Sequence, residues 1–125
     1  MITAFLIGLL VGLATFVVTF ILNITALWLV EFVKKKLRTR KNHKVAFADT
    51  REVVDDYIKN EVDGAKEISM EDLEKLCEES PYVAAVVDEN GDIGEYEGFK
   101  TDKINENFSA NIRKQHGMII VDGDI

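Results

Sequence analysis

The chain begins MITAFLIGLLVGLATFVVTFILNITALWLVEFV (Met1–Val33), and its first 30 residues contain no charged side chain. A helix of about 20 apolar residues is long enough to cross the ~30 Å hydrocarbon layer of a bilayer. The apolar run is also about twice as long as the core of a cleaved signal peptide, and no basic residue precedes it. We therefore predict a single N-terminal transmembrane α-helix over residues 1–33.

A basic juxtamembrane segment, residues 34–44, follows this predicted helix. By the positive-inside rule it remains in the cytoplasm, so we predict a single-pass protein of the cell membrane with its N-terminus outside and its C-terminal domain in the cytoplasm. Trp28 falls where interfacial aromatic rings collect. The residues predicted to lie at the membrane interface are Trp28, Lys34, Lys35, Lys36, Arg38, Arg40 and Lys41.

One face of the predicted helix carries small or polar side chains at intervals of three or four residues. Helices in lipid associate by close backbone approach at small residues and by hydrogen bonds from Thr or Asn. The pattern predicts helix–helix packing, either with copies of the same chain or with another membrane subunit. An isolated anchor is the alternative. The predicted packing residues are Ala4, Gly8, Gly12, Thr15, Thr19, Asn23 and Ala26.

Charge divides the rest of the chain sharply. Residues 31–44 contain seven Lys and Arg and one Glu, whereas residues 45–125 contain eight Lys and Arg against 21 Asp and Glu. The resulting net charges are +6 and −13, and the acidic part argues against nucleic acid as a partner. A nucleic-acid role for the basic segment is disfavoured because that segment would lie directly beneath a membrane helix. The acidic part could instead attract a basic cytoplasmic protein.

Helices are indicated at three places in residues 45–125. Asp49 and Thr50 can each cap a first helix, with Val45–Ala48 leading to it. Ser69 is typical of the start of a second helix, in the manner of a capping box. Thr101 begins a third helix, which ends before Gly117.

Three strands are predicted among these helices. Tyr82–Val87 and Ile93–Phe99 flank the turn residues Asn90 and Gly91, which is a strong β-hairpin signal. Met118–Val121 is a last strand, placed at the edge of the sheet. The order α-α-β-β-α-β predicts a small cytoplasmic α+β domain over residues 45–125, with a three-stranded antiparallel or mixed sheet and helices packed on one face.

The residues that could take part in catalysis or bind a metal do not form a recognisable site. Asp88, Asn90 and Asp92 have the spacing that opens a calcium loop, but the required Gly and Glu are missing further on, and a hairpin turn explains them. Cys77 falls on the apolar side of its helix, and as the single cysteine it fits a reducing compartment. His116 ends the third helix, where the helix dipole favours it. We predict no enzyme activity, no metal and no cofactor.

The leading functional hypothesis is a non-catalytic interaction or scaffold subunit of a membrane assembly. Its partners would be the lipid bilayer and either copies of itself or another membrane subunit. A homo-oligomeric pore or membrane-disrupting effector is one alternative, in which Thr15, Thr19 and Asn23 line water. A membrane-anchored sensor of a small ligand is another.

Overall fold

The computed structural model describes residues 2–12, 17–59 and 69–123, which form five helices and five strands. The elements run in the order α1 (Ile2–Gly12), β1 (Val18–Phe20), α2 (Ala26–Lys36), β2 (Lys44–Asp49), α3 (Thr50–Lys59), α4 (Met70–Glu79), β3 (Tyr82–Val87), β4 (Ile93–Lys100), α5 (Glu106–Lys114) and β5 (Met118–Asp122).

All five strands form one mixed sheet with the order β1-β4-β3-β2-β5. β1 runs parallel to β4, with Val18 opposite Gly98. The other three neighbouring pairs are antiparallel. The two edges of the sheet are therefore β1, from the N-terminal part of the chain, and β5, from the C-terminal part.

Helices cover both faces of the sheet. Side chains alternate along a strand, so Ala46 and Ala48 of β2 point to one face, and Val45 and Phe47 point to the other. The first face packs against α1, α3 and α4, and is called here the α1 face. The second packs against α2 and α5, and is called the α2 face. Burial on both faces explains why four consecutive residues of β2 are inaccessible to solvent.

The predicted transmembrane helix is wrong. Residues 1–33 contribute α1, β1 and most of α2, and no helix within the described ranges has the length and apolar character needed to span a bilayer. Local signals explain the division. Val17, Val18 and Thr19 are β-branched, which favours a strand. The Thr25 hydroxyl accepts a hydrogen bond from the Trp28 N–H and begins α2. This finding contradicts the predicted single-pass location in the cell membrane.

The predicted three-stranded sheet with helices on one face is also wrong. Val45–Ala48, which leads into α3 as expected, also forms most of an unpredicted interior strand, β2, which pairs with both β3 and β5. β1 adds a fifth strand from within the supposed membrane helix. Because the sheet then has a second apolar face, it needs helices on both sides.

Several local predictions are confirmed. The Ser69 side chain accepts a hydrogen bond from Asp72 N–H and begins α4. The turn between β3 and β4 contains Gly91 in the left-handed region, with φ +83°. β5 begins at Met118 and lies at an edge. The third predicted helix is real but shorter, because Asn105 and not Thr101 provides its N-cap.

Candidate functional site

The candidate site is built on α2, which aromatic rings hold against the sheet. The Trp28 ring stacks on Phe32, with centroids 5.6 Å apart. It also meets Phe99 edge-on at 5.0 Å and Phe47 at 5.8 Å. Phe47 and Phe99 are buried, whereas Trp28 and Phe32 are half-buried and line a hollow at the surface. The aromatic packing therefore fixes both rings while leaving part of each accessible.

Positive charge is concentrated where α2 ends. Lys34, Lys35 and Lys36 occupy its last turn, where cations interact favourably with the partial negative charge of the helix terminus. Leu37 is the C-cap, and its N–H donates to the Val33 carbonyl. The following loop carries more basic residues and contains Asn42 in the left-handed region, with φ +60°. The turn brings the chain back into β2 at Lys44.

Two ion pairs fasten this basic segment to β4. Lys36 pairs with Glu97, and Arg40 pairs with Glu95 at 2.5 Å. The hydrogen bond from the Arg40 guanidinium lowers the pKa of the Glu95 carboxyl below its usual value. Glu95 has φ +51° and lies at a register shift between β3 and β4, so a β-bulge directs its side chain. The acidic strand thus fixes the path of the basic loop.

Two hollows adjoin each other around Lys34 and Arg38, which line both. The first, called here the basic hollow, has a volume of about 520 Å³ and is lined by Lys34, Leu37, Arg38, Arg40, Lys41, Asn42, His43, Lys44, Asp122 and Gly123. The second, called the aromatic hollow, has about 680 Å³ and is lined by Trp28, Glu31, Phe32, Lys34, Lys35 and Arg38. Together they form the basic groove.

Most cations of residues 34–44 have no acidic partner among the described residues. Of the seven Lys and Arg in residues 34–44, two pair with β4 as described. The other five have no acidic side chain within 4.0 Å in the part of the chain that the structure describes; they are Lys34, Lys35, Arg38, Lys41 and Lys44. Such a surface attracts anions.

The predicted packing stripe is not one helix face. Ala4, Gly8 and Gly12 belong to α1, Thr19 to β1, Asn23 to the following connection and Ala26 to α2. Thr15 lies outside the described residues. Gly8 does mark a close approach, but to Tyr96 of β4, whose hydroxyl would be 2.1 Å from a Cβ at position 8. The water-lined face of the pore hypothesis would need Thr19 and Asn23 on one helix, which they do not share.

The residues predicted for the membrane interface do lie together, on α2 and the loop after it. Trp28, Lys34, Lys35 and Lys36 belong to α2, and Arg38, Arg40 and Lys41 follow it. Sequence reasoning missed Phe32, His43 and the two glutamates of β4. The alternation of Glu95 and Glu97 along a predicted strand was the available signal, because it places both carboxylates on one side of β4.

The remaining polar candidates are engaged locally. The Asp88 carboxylate accepts hydrogen bonds from the N–H groups of Asn90 and Asp92, at 2.8 and 3.0 Å, and so organises the hairpin turn. The exposed His116 imidazole lies 3.5 Å from Asp56. These contacts stabilise turns at the ends of β3 and α5.

Cys77 is expected to react slowly in the folded protein. Burial raises the pKa of its thiol to about 11, against an ordinary value of 9.0. Since the thiolate is the reactive form, its fraction at pH 8 falls about 100-fold. Alkylation by iodoacetamide at pH 8, followed by mass spectrometry, should be at least that much slower in native buffer than in guanidinium. Equal rates in the two solutions would contradict the burial of Cys77.

Comparison with known proteins adds no relative: no family model, curated protein or solved structure matches the chain.

Proposed function

We propose that the protein is a non-catalytic interaction module that pairs with a second copy of itself through the β1 edge of the sheet. The observation that carries this proposal is an edge strand whose three side chains are all exposed and uncharged. Natural proteins usually protect such an edge with charge, proline or a covering segment, because it can pair with another strand.

The backbone of β1 has groups available for pairing. The Val17 carbonyl accepts from the Gly98 N–H, and the Ile21 N–H donates to the Lys100 carbonyl, each at 2.8 Å. Residues of a strand direct their hydrogen-bonding groups to alternate sides. The N–H and C=O groups of Val18 and Phe20 therefore face away from β4. An antiparallel β1 of a second copy could bond to these groups and join the two sheets.

The side chains around β1 favour a copy of the same chain over a charged partner. Residues 17–30 contain no charged side chain. Four large apolar side chains near the edge are between 41% and 80% exposed, namely Val17, Val18, Phe20 and Leu22. A chain of net charge −7 repels its own copy over most of its surface. An uncharged apolar edge is the place where a two-fold pair brings no like charges together.

The opposite edge is less suited to the same pairing. β5 carries Asp122, which is in register with Lys44 of β2, and it places a single strongly exposed apolar side chain, Ile120, at its surface. Charged residues on an edge strand oppose strand addition. The β5 edge can therefore serve as the control for strand pairing through the β1 edge.

Oligomeric state tests the proposal directly. Size-exclusion chromatography with light scattering should give a dimer for the wild-type chain at micromolar concentrations. Val18→Lys places a charge at the β1 edge and should give a monomer. Ile120→Lys is the matched control at the β5 edge and should remain a dimer. A wild-type monomer, or dissociation by Ile120→Lys alone, would overturn pairing through β1.

A further inference from the structure

We propose that the basic groove binds a nucleotide, free or as a unit of a single-stranded nucleic acid. Its phosphates would contact the cations of the basic hollow that have no acidic partner in the described ranges. Its base would stack in the aromatic hollow on Trp28 and Phe32. This proposal is independent of pairing through β1, because the groove is on α2 and the loop that follows it.

The number of cations exceeds what the fold itself requires. The C-terminus of a helix carries about half a negative charge, which one neighbouring cation can balance. Two more cations are used in the ion pairs with Glu95 and Glu97. Four of the five cations without an acidic partner in the described residues line the basic hollow, and the fifth, Lys35, lines the aromatic hollow. A ligand with several negative charges fits this arrangement better than a single carboxylate does.

The aromatic hollow indicates that the ligand also carries a flat ring that can stack. Trp28 and Phe32 present parts of two stacked rings, and Lys34 and Arg38 connect them to the basic hollow. Cationic grooves with aromatic platforms are the usual means of binding single strands, because every base has a face that can stack. Each hollow has one carboxylate in its lining, Glu31 or Asp122, but the basic hollow has five Lys and Arg against three in the aromatic hollow. The base therefore belongs at the Trp28 end and the phosphates at the Lys41 end.

The ground on which nucleic acid was disfavoured for the basic segment does not hold in the structure. Residues 34–44 were expected to lie directly beneath a membrane helix, and no helix in the described ranges is long and apolar enough to span a bilayer. The acidic balance of residues 45–125 remains, but the charges are segregated. The groove is lined by two carboxylates, Glu31 and Asp122, against six Lys and Arg. Glu95 and Glu97, which line neither hollow, pair with Arg40 and Lys36. Local potential, and not net charge, steers a ligand to such a site.

The single tryptophan makes the test direct, because Trp28 is the fluorophore and also the proposed stacking platform. The full chain is titrated with a nucleoside triphosphate and with an oligothymidine of about 12 nucleotides, a length suited to a single-strand groove. Tryptophan emission reports stacking, and the anisotropy of a labelled oligothymidine reports binding. Quenching by the triphosphate alone identifies a free nucleotide as the ligand, and stronger binding of the oligothymidine identifies a single strand.

Charge reversal at one groove position supplies the variant. Lys34 lines both hollows, so Lys34→Glu should weaken binding at least about tenfold at low salt. Lys75→Glu makes the same change on exposed α4, which packs on the other face of the sheet, and should leave binding within about twofold. Affinity of the wild type for the oligothymidine should fall with salt, with a slope of about −3 if four cations of the basic hollow each contact a phosphate.

Three results would overturn the proposal. The first is an absence of binding to both nucleotide probes. The second is equal weakening by Lys34→Glu and Lys75→Glu, which would mean general attraction to charge. The third is binding without any change in Trp28 emission, which would remove the stacking platform. Binding to phosphatidylserine vesicles with none to either nucleotide probe would likewise assign the cations to a lipid surface.

Discussion

Replacing Phe47 with alanine should lower the free energy of unfolding by about 3–5 kcal/mol, the usual cost of removing a buried phenylalanine. Phe47 lies in the interior strand β2 and has no accessible surface. Its ring centroid lies 5.8 to 6.4 Å from those of four other aromatic side chains, which come from α2, β3, β4 and α5: Trp28, Tyr82, Phe99 and Phe108. The substitution would therefore leave a cavity between elements from most of the chain.

Urea denaturation monitored by circular dichroism measures this loss. Phe47→Leu retains most of the side-chain volume and should cost about 1–1.5 kcal/mol, which keeps the effect measurable if Phe47→Ala does not fold. Ile120→Ala on the neighbouring strand β5 is the control, because Ile120 is 46% exposed and should cost less than 1 kcal/mol. Similar losses for Phe47→Ala and Ile120→Ala would contradict the burial of Phe47 in a shared aromatic core.

Gly117→Ala should lower the free energy of unfolding by about 2–5 kcal/mol. Gly117 follows α5 with φ +93°, and a left-handed conformation costs a non-glycine residue about 1–2 kcal/mol. A Cβ at this position would also lie 2.7 Å from the backbone nitrogen of Val53 and 2.8 Å from Cβ of Glu52. Because backbone atoms of α3 cannot move aside easily, overpacking adds about 1–3 kcal/mol.

Gly91→Ala separates the cost of the left-handed backbone conformation from the cost of overpacking. Gly91 has a similar φ of +83°, but no atom lies within 4 Å of a Cβ built there. It should therefore show the conformational cost alone, about 1–2 kcal/mol. Thermal and urea denaturation of both variants provide the comparison. Equal losses at positions 91 and 117 would mean that α3 does not pack against the end of α5 as described.

Elements with local signals could be predicted from the sequence. Ser69 begins α4 because its side chain accepts a hydrogen bond from a backbone N–H three residues later, a contact within the helix itself. Asn90 and Gly91 similarly supply the turn of the β3–β4 hairpin. These signals depend on neighbours in the chain, so they hold whatever the rest of the molecule does.

Elements defined by distant contacts could not be predicted. Val45–Ala48 gives no alternating pattern because β2 is buried on both faces, so the run was not recognised as a strand. Residues 1–30 contain no charge, and their length alone favoured a membrane helix. Thr25 was the local signal against one continuous membrane helix. Its hydroxyl caps the start of α2, so the residues before it belong to a different element.

The basic residues of the candidate site were recognised, but their setting was not. Lys34 to Lys41 were assigned to a lipid interface because the preceding helix was expected to span a membrane. Their contacts with Glu95 and Glu97 depend on a sheet that places β4 beside α2, and no local pattern contains that information. The aromatic hollow depends in the same way on Phe99, which packs edge-on against Trp28.

The parallel pairing of β1 with β4 also sets an order of events during synthesis. Val18 and Gly98 are in register although 80 residues separate them in the chain. At about 5–20 residues per second, a ribosome needs about 4–16 s to cover that distance. Throughout this interval the apolar N-terminal segment has no sheet to join. We expect nascent chains to depend on chaperones at this stage, and the docking of β1 to be among the last steps of folding.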